Sequence, residues 1–97
     1  MTKKDVLDYL KTHKQELFQK YGVVSIGLFG SFSKDIQTSD SDIDIAVEIQ
    51  KDKKTLSNFF GLRRELESAF HRRVDLGIES SLKPVVREYI KKDIVYV

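Results

Sequence analysis

The sequence predicts an α/β domain, a small mixed sheet flanked by helices. Three observations predict it. Apolar residues recur at helical spacing in residues 2–21, 55–70 and 82–92; residues 23–29, 42–49, 73–78 and 94–97 carry strand patterns; and the two kinds of segment alternate along the chain. With 97 residues, the expectation is one domain over 1–97.

The first helix is predicted over 2–21. Thr2 followed by Asp5 resembles a capping box with Asp in place of Glu, and Gly22 is a suitable stop. Val6, Leu10, His13, Leu17 and Tyr21, with Leu7 and Phe18, share one face. Residues 23–29 read as a buried strand ending at Gly30, and a short helix can open at Ser31. Residues 42–49 alternate with period two. Ile43, Ile45, Val47 and Ile49 point to the core, which puts Asp42 and Asp44 together on the opposite face. The next helix is predicted over 55–70, with Leu56, Phe59, Phe60, Arg63, Leu66 and Phe70 at helical spacing. Gly61 weakens that helix by roughly 1 kcal/mol relative to Ala. A short strand at 73–78, a helix at 82–92 with Pro84 in its first turn, and a strand at 94–97 complete the order.

Composition narrows the function classes. The chain is 40% hydrophobic and 33% charged, as in ordinary globular proteins. No apolar run approaches the ~18 residues of a membrane span, and the charged start does not read as a signal peptide. The absence of cysteine excludes disulfides and thiolate chemistry and fits the cytoplasm, the expected location. A net charge of +2 gives no bulk field for nucleic acid, so neither direct nucleic-acid binding nor a membrane partner is expected. The charge is nevertheless uneven: residues 35–50 hold Asp35, Asp40, Asp42, Asp44 and Glu48 and no Lys or Arg. An acidic segment in a mildly basic chain calls for a cation.

Asp42 and Asp44, at i and i+2 of a strand, are close enough to repel, and Mg²⁺ prefers carboxylate oxygens. Asp75, between Val74 and Leu76, stands alone on the polar face of its strand. If the two strands are neighbours, three carboxylates converge, as needed to hold two metal ions roughly 3.5–4 Å apart. Alone, an Asp-x-Asp is as well explained by a polar strand face or a loop cap. An EF-hand is excluded by Ile45 at the glycine position and Lys51 at the last ligand position. Gly30-Ser31 is a weak signal by itself, a common turn. In context it offers close backbone approach and a helix start to a phosphate. Walker A and Rossmann fingerprints are absent.

Gly30-Ser31, ten intervening residues, then Asp42-Ile43-Asp44 resembles the signature of the nucleotidyltransferase superfamily related to DNA polymerase beta. The stretches 28–31 and 40–47, Val74-Asp75-Leu76, residues 83–88 and Val95-Tyr96-Val97 resemble minimal nucleotidyltransferases, so the likeness covers nearly the whole chain. It implies a polymerase beta palm-like fold. It also implies that Gly30 and Ser31 hold ATP, that Asp42, Asp44 and Asp75 are catalytic and bind two Mg²⁺ ions, and that Asp75 helps activate an acceptor hydroxyl. Many relatives carry Arg-Gly where this chain has Lys34-Asp35. Lys34 keeps a charge for the triphosphate; Asp35 adds an opposing one, although Asp tolerates the left-handed conformation. Minimal nucleotidyltransferases are commonly paired with HEPN-type ribonuclease toxins and adenylylate a toxin tyrosine. The resemblance therefore implies an AMP-transferring antitoxin. Two alternatives stand beside it: an antitoxin that silences its partner by binding alone, and transfer to a small molecule such as an aminoglycoside.

The remaining features take plainer readings: Phe59 and Phe60 as helix core, Tyr89 and Tyr96 as packing residues, His13 and His71 without a role. Arg63-Arg64 and Arg72-Arg73 read as solvated faces, one of which could dock a partner.

Overall fold

The computed structural model describes residues 1–97. Four helices and four strands follow in the order α1 (Lys3–Tyr21), β1 (Val23–Phe29), α2 (Gly30–Ser33), β2 (Ile43–Ile49), α3 (Leu56–Phe70), β3 (Val74–Ile78), α4 (Pro84–Ile90) and β4 (Val95–Tyr96). Single 3₁₀ turns at Lys51–Lys53 and Glu79–Ser81 join the later elements. The Thr2–Asp5 capping box forms in full, and Thr55 caps α3 through the Asn58 N–H at 3.1 Å. Gly22 ends α1 in the left-handed conformation, φ +73°, and its N–H bonds the Phe18 carbonyl.

The sheet order is β3-β2-β1-β4, with β2–β3 parallel and β1–β2 and β1–β4 antiparallel. A parallel pair needs a crossover, and α3 supplies it. One face of the sheet is the core. Val6, Leu10 and Leu17 of α1 and Leu62, Leu66 and Phe70 of α3 pack there on Ile26, Leu28, Ile43, Ile45 and Val47. The apolar face of α3 is narrower than predicted: Leu66 and Phe70 are buried and Phe59 packs beside them, as expected. Leu62 joins the core, while Leu56 is 74% exposed and Phe60 and Arg63 lie outside. The Arg63 guanidinium instead sits 5.1 Å from the Phe60 ring centre on the outer surface. Tyr89 and Tyr96, read as packing residues, are also exposed.

The second face is built in rows. Gly27, Ala46 and Gly77 lie in register across β1, β2 and β3. This row of small residues lets the chain after α4 lie close: a Cβ at Gly27 would fall 2.7 Å from Ile94 Cγ1. Two residues along, Phe29, Asp44 and Asp75 form the next row.

Candidate active site

Strand alternation and parallel register bring two of the three predicted carboxylates together. Ile43 pairs with Val74 and Asp44 with Asp75, so the apolar partners enter the core and both acids leave by the other face. Asp42, just before β2, continues the same side of the strand. Asp44 is half-buried, whereas Asp42 and Asp75 are exposed. Burial raises the Asp44 pKa to about 6, helped by the charges of Asp75 and Asp42.

The Gly30 turn lies directly against Asp44. Gly30 has φ +74°, and a Cβ there would stand 2.1 Å from Asp44 Oδ2. The turn opens α2 without any side-chain cap, in contrast to α1 and α3 with their threonines. Its first N–H groups therefore have no side-chain acceptor from the cap residue. Ser31 sits in this first turn. Asp35 closes the far end at φ +59°, a left-handed conformation that Asp tolerates better than most residues. Lys34 is placed differently from the triphosphate-facing role: its Nζ lies 3.3 Å from the Asp93 carboxylate and 5.9 Å from the Tyr89 ring centre. The buried Ser33 hydroxyl donates to the Asp93 carbonyl, so α2 is tied to the chain after α4 at two points.

Of the two arginines read as solvated faces, Arg73 is largely exposed and Arg72 is half-buried, and both have partners beside the carboxylates. Arg73 Nε lies 3.6 Å from Asp42 Oδ1 and leaves Asp42 beside a cation. The Arg72 Nη1 donates to the carbonyls of Thr38, Ser39 and Ser41, at 3.2, 3.2 and 2.9 Å, over the Phe32 ring. It braces the loop that delivers Asp42. The sequence offered no signal for this, because the acceptors are backbone groups 31–34 residues away.

The donor set suits a hard divalent cation. Carboxylate oxygens converge from two strands, and Asp44 is desolvated with no hydrogen bond from a basic side chain. The three acids are not drawn into a closed cage, since no three potential ligands cluster at binding geometry. Like-charge repulsion and the Asp42–Arg73 pair account for the open arrangement. The row is also open to solvent: the three surface grooves are lined by other residues, none of them Asp42, Asp44 or Asp75.

Paired acids on a sheet, facing a glycine turn, define a nucleotidyl-transfer architecture. The chain belongs to the nucleotidyltransferase domain family, whose model matches residues 10–97. It is 36% identical to a Thermococcus cleftensis protein adenylyltransferase, MntA, over all of this chain and 97% of that one. Its fold matches a candidate minimal nucleotidyltransferase with TM-score 0.82 and 26% identity, covering 98% of this chain and 95% of that one. It also matches a chain of a toxin–antitoxin crystal structure with AMP-PNP, TM-score 0.72 and 28% identity, over 89% of this chain and 70% of that one. These likenesses bear out the palm-like fold and the family expected from the sequence.

Proposed function

We propose that this chain transfers AMP from ATP to a tyrosine hydroxyl of a HEPN-type partner toxin and thereby acts as an antitoxin in the cytoplasm. The observation that carries the reading is the half-buried Asp44, held between Asp75 and the Gly30 turn. In this reading Gly30 and Ser31 receive the triphosphate with their backbone N–H groups and the serine hydroxyl. Lys34 turns from Asp93 toward the phosphates. Asp42, Asp44 and Asp75 would hold two Mg²⁺ ions, whose chemistry is to neutralise charge on the phosphates.

Asp75, the exposed member of the row, faces the arriving acceptor and takes its proton. The acceptor oxygen then bonds to the α-phosphorus as the bond to the β-phosphate bridging oxygen breaks, and pyrophosphate leaves. The chain's own contribution is position and charge, not a covalent intermediate. The openness of the carboxylate row favours an acceptor presented by another macromolecule, since no groove of this chain encloses a small one there. The naming of a relative as a protein adenylyltransferase, and the fold match to a toxin–antitoxin structure with a nucleotide, support the same reading.

The test is incubation of chain and partner toxin with Mg²⁺ and ATP labelled at the α- or the γ-phosphate. Label from the α-position alone should reach a toxin tyrosine, and Asp44→Asn should prevent it. A toxin silenced without acquiring label would replace transfer by silencing through binding alone.

A further inference from the structure

We propose that Asp93 competes with the nucleotide's phosphates for Lys34, so that this carboxylate sets nucleotide affinity and couples occupancy of the site to the end of α4. The inference rests on Lys34 serving the triphosphate as proposed above; what it adds is the group that Lys34 must leave. Lys34 follows Ser33 as the cap of α2, and its N–H bonds the Gly30 carbonyl at 3.2 Å. It therefore stands one helical turn, about 6 Å along the axis, from the glycine turn. A flexible four-carbon stem lets its ammonium serve either end of that distance. Without nucleotide the ammonium is drawn to the far side, 3.3 Å from the Asp93 carboxylate and beside the Tyr89 ring.

Asp93 has no second cation to take over. Lys91, two residues before it, is engaged by Glu88 at 3.3 Å, and the ion pair of Asp93 is with Lys34. The Asp93 side chain is 24% exposed, so water replaces a departing ammonium only in part. A triphosphate carries more negative charge than one carboxylate, so the exchange runs toward the nucleotide. The cost of leaving Asp93 uncompensated then appears as weaker nucleotide binding. The exchange is reversible because the Ser33 hydroxyl holds the Asp93 carbonyl wherever Lys34 points. The end of α4 registers the change. The N–H groups of Asp93 and Ile94 both bond the Ile90 carbonyl, at 3.0 and 2.9 Å, in the turn that leads to β4. With Lys34 on the phosphates, this turn loses its ion pair to α2 and Tyr89 loses its cation, while the Ser33 bond remains.

The test is calorimetric titration of the intact chain, with Mg²⁺, by an ATP analogue bearing a methylene bridge between the α- and β-phosphates, which binds without turnover. Asp93→Asn should tighten binding about fivefold, the scale of a partly exposed ion pair. Lys34→Gln should weaken binding, and in that background Asp93→Asn should change affinity by less than about twofold. Hydrogen exchange supplies a readout that a merely structural role would not move. The amides of residues 91–94 should exchange faster in the parent once the analogue is bound, and Lys34→Gln should show the same faster exchange without any nucleotide. Equal tightening by Asp93→Asn with and without Lys34 would reduce Asp93 to a general negative charge and overturn the competition. Unchanged affinity in Asp93→Asn, or slower exchange at 91–94 on binding, would overturn it as well. Each of these results leaves the catalytic reading standing, whereas a parent chain that binds no analogue would sink both.

Discussion

Asp44 and Glu48 stand on the same face of the same strand, separated on that face by Ala46, and have opposite fates. Glu48 is fully answered: it accepts from the Ser80 N–H at 3.1 Å and the Ser80 hydroxyl at 3.0 Å, and Lys54 Nζ lies 2.8 Å away. Burial alone would raise its pKa, but Lys54 and Ser80 outweigh that and hold it below the ordinary carboxylate value. Asp44 meets two other acids and a glycine turn, and burial pushes it up to about 6. The protein has thus satisfied one carboxylate of β2 and left the other strained. That contrast is what the proposed transfer reaction predicts for Asp44, and it can be tested against Glu48 on the same strand.

The largest test of this contrast is Asp44→Asn. Transfer should fall by about a thousandfold or more, as expected when transition-state charge loses its stabilising partner. Without metal, the melting temperature at pH 7 should nevertheless rise, since a repelled charge is gone. Kinetics and calorimetry on one preparation check both halves, and a variant less stable than the parent would contradict the strain. Gly30→Ala should cost nearly as much activity through the clash with Asp44, with loss of stability instead of gain.

Arg72→Ala comes next. Freeing the loop before Asp42 should lower transfer by about a hundredfold, the scale of an ångström-sized misplacement. The Mg²⁺ concentration for half-maximal rate should rise, and an unchanged metal requirement would show that Arg72 serves folding alone. Glu48→Gln should leave the transfer rate within about twofold while lowering stability by about 1 kcal/mol, measured by urea unfolding.

The smallest effect lies in the pH dependence of stability, followed by melting in EDTA. Asp44 has a folded pKa above its unfolded one, so it binds a proton more tightly when folded. Its contribution should make the fold less stable as pH rises from about 4 to 6, by about 1 kcal/mol once solvent screening is allowed for. Glu48, with a lowered folded pKa, contributes stability at neutral pH that is lost as pH falls below the carboxylate range. Asp44→Asn should remove the first slope and Glu48→Gln the second.

Much of this was legible in the sequence because it depends on local rules. Period-two alternation placed Asp42 and Asp44 on one face, and Val74-Asp75-Leu76 did the same for Asp75. The capping residues of α1 and the left-handed Asp35 follow from single side chains. What escaped was set by tertiary partners. The outer faces of α3 and α4 carry Leu56, Phe60 and Tyr89, whose apolar character suggested burial, yet Leu62 and Leu66 fill the core face under α3, and Ile90 is the buried residue of α4. The Arg72 brace depends on carbonyls, which have no sequence signature, and the Asp42–Arg73 pair depends on which strands become neighbours.

The pairing of Asp44 with Asp75 is written into the hydrogen-bond ladder between β2 and β3. A slip of one residue would bury one acid and expose an isoleucine or valine, so there is no gradual path by which this geometry can drift. Heat should therefore not produce a folded but inactive species by misaligning these two residues. Any loss of activity that precedes melting should start in the loop ahead of Asp42 or at the Gly30 turn, and Arg72→Ala should widen the gap between the temperatures of inactivation and melting.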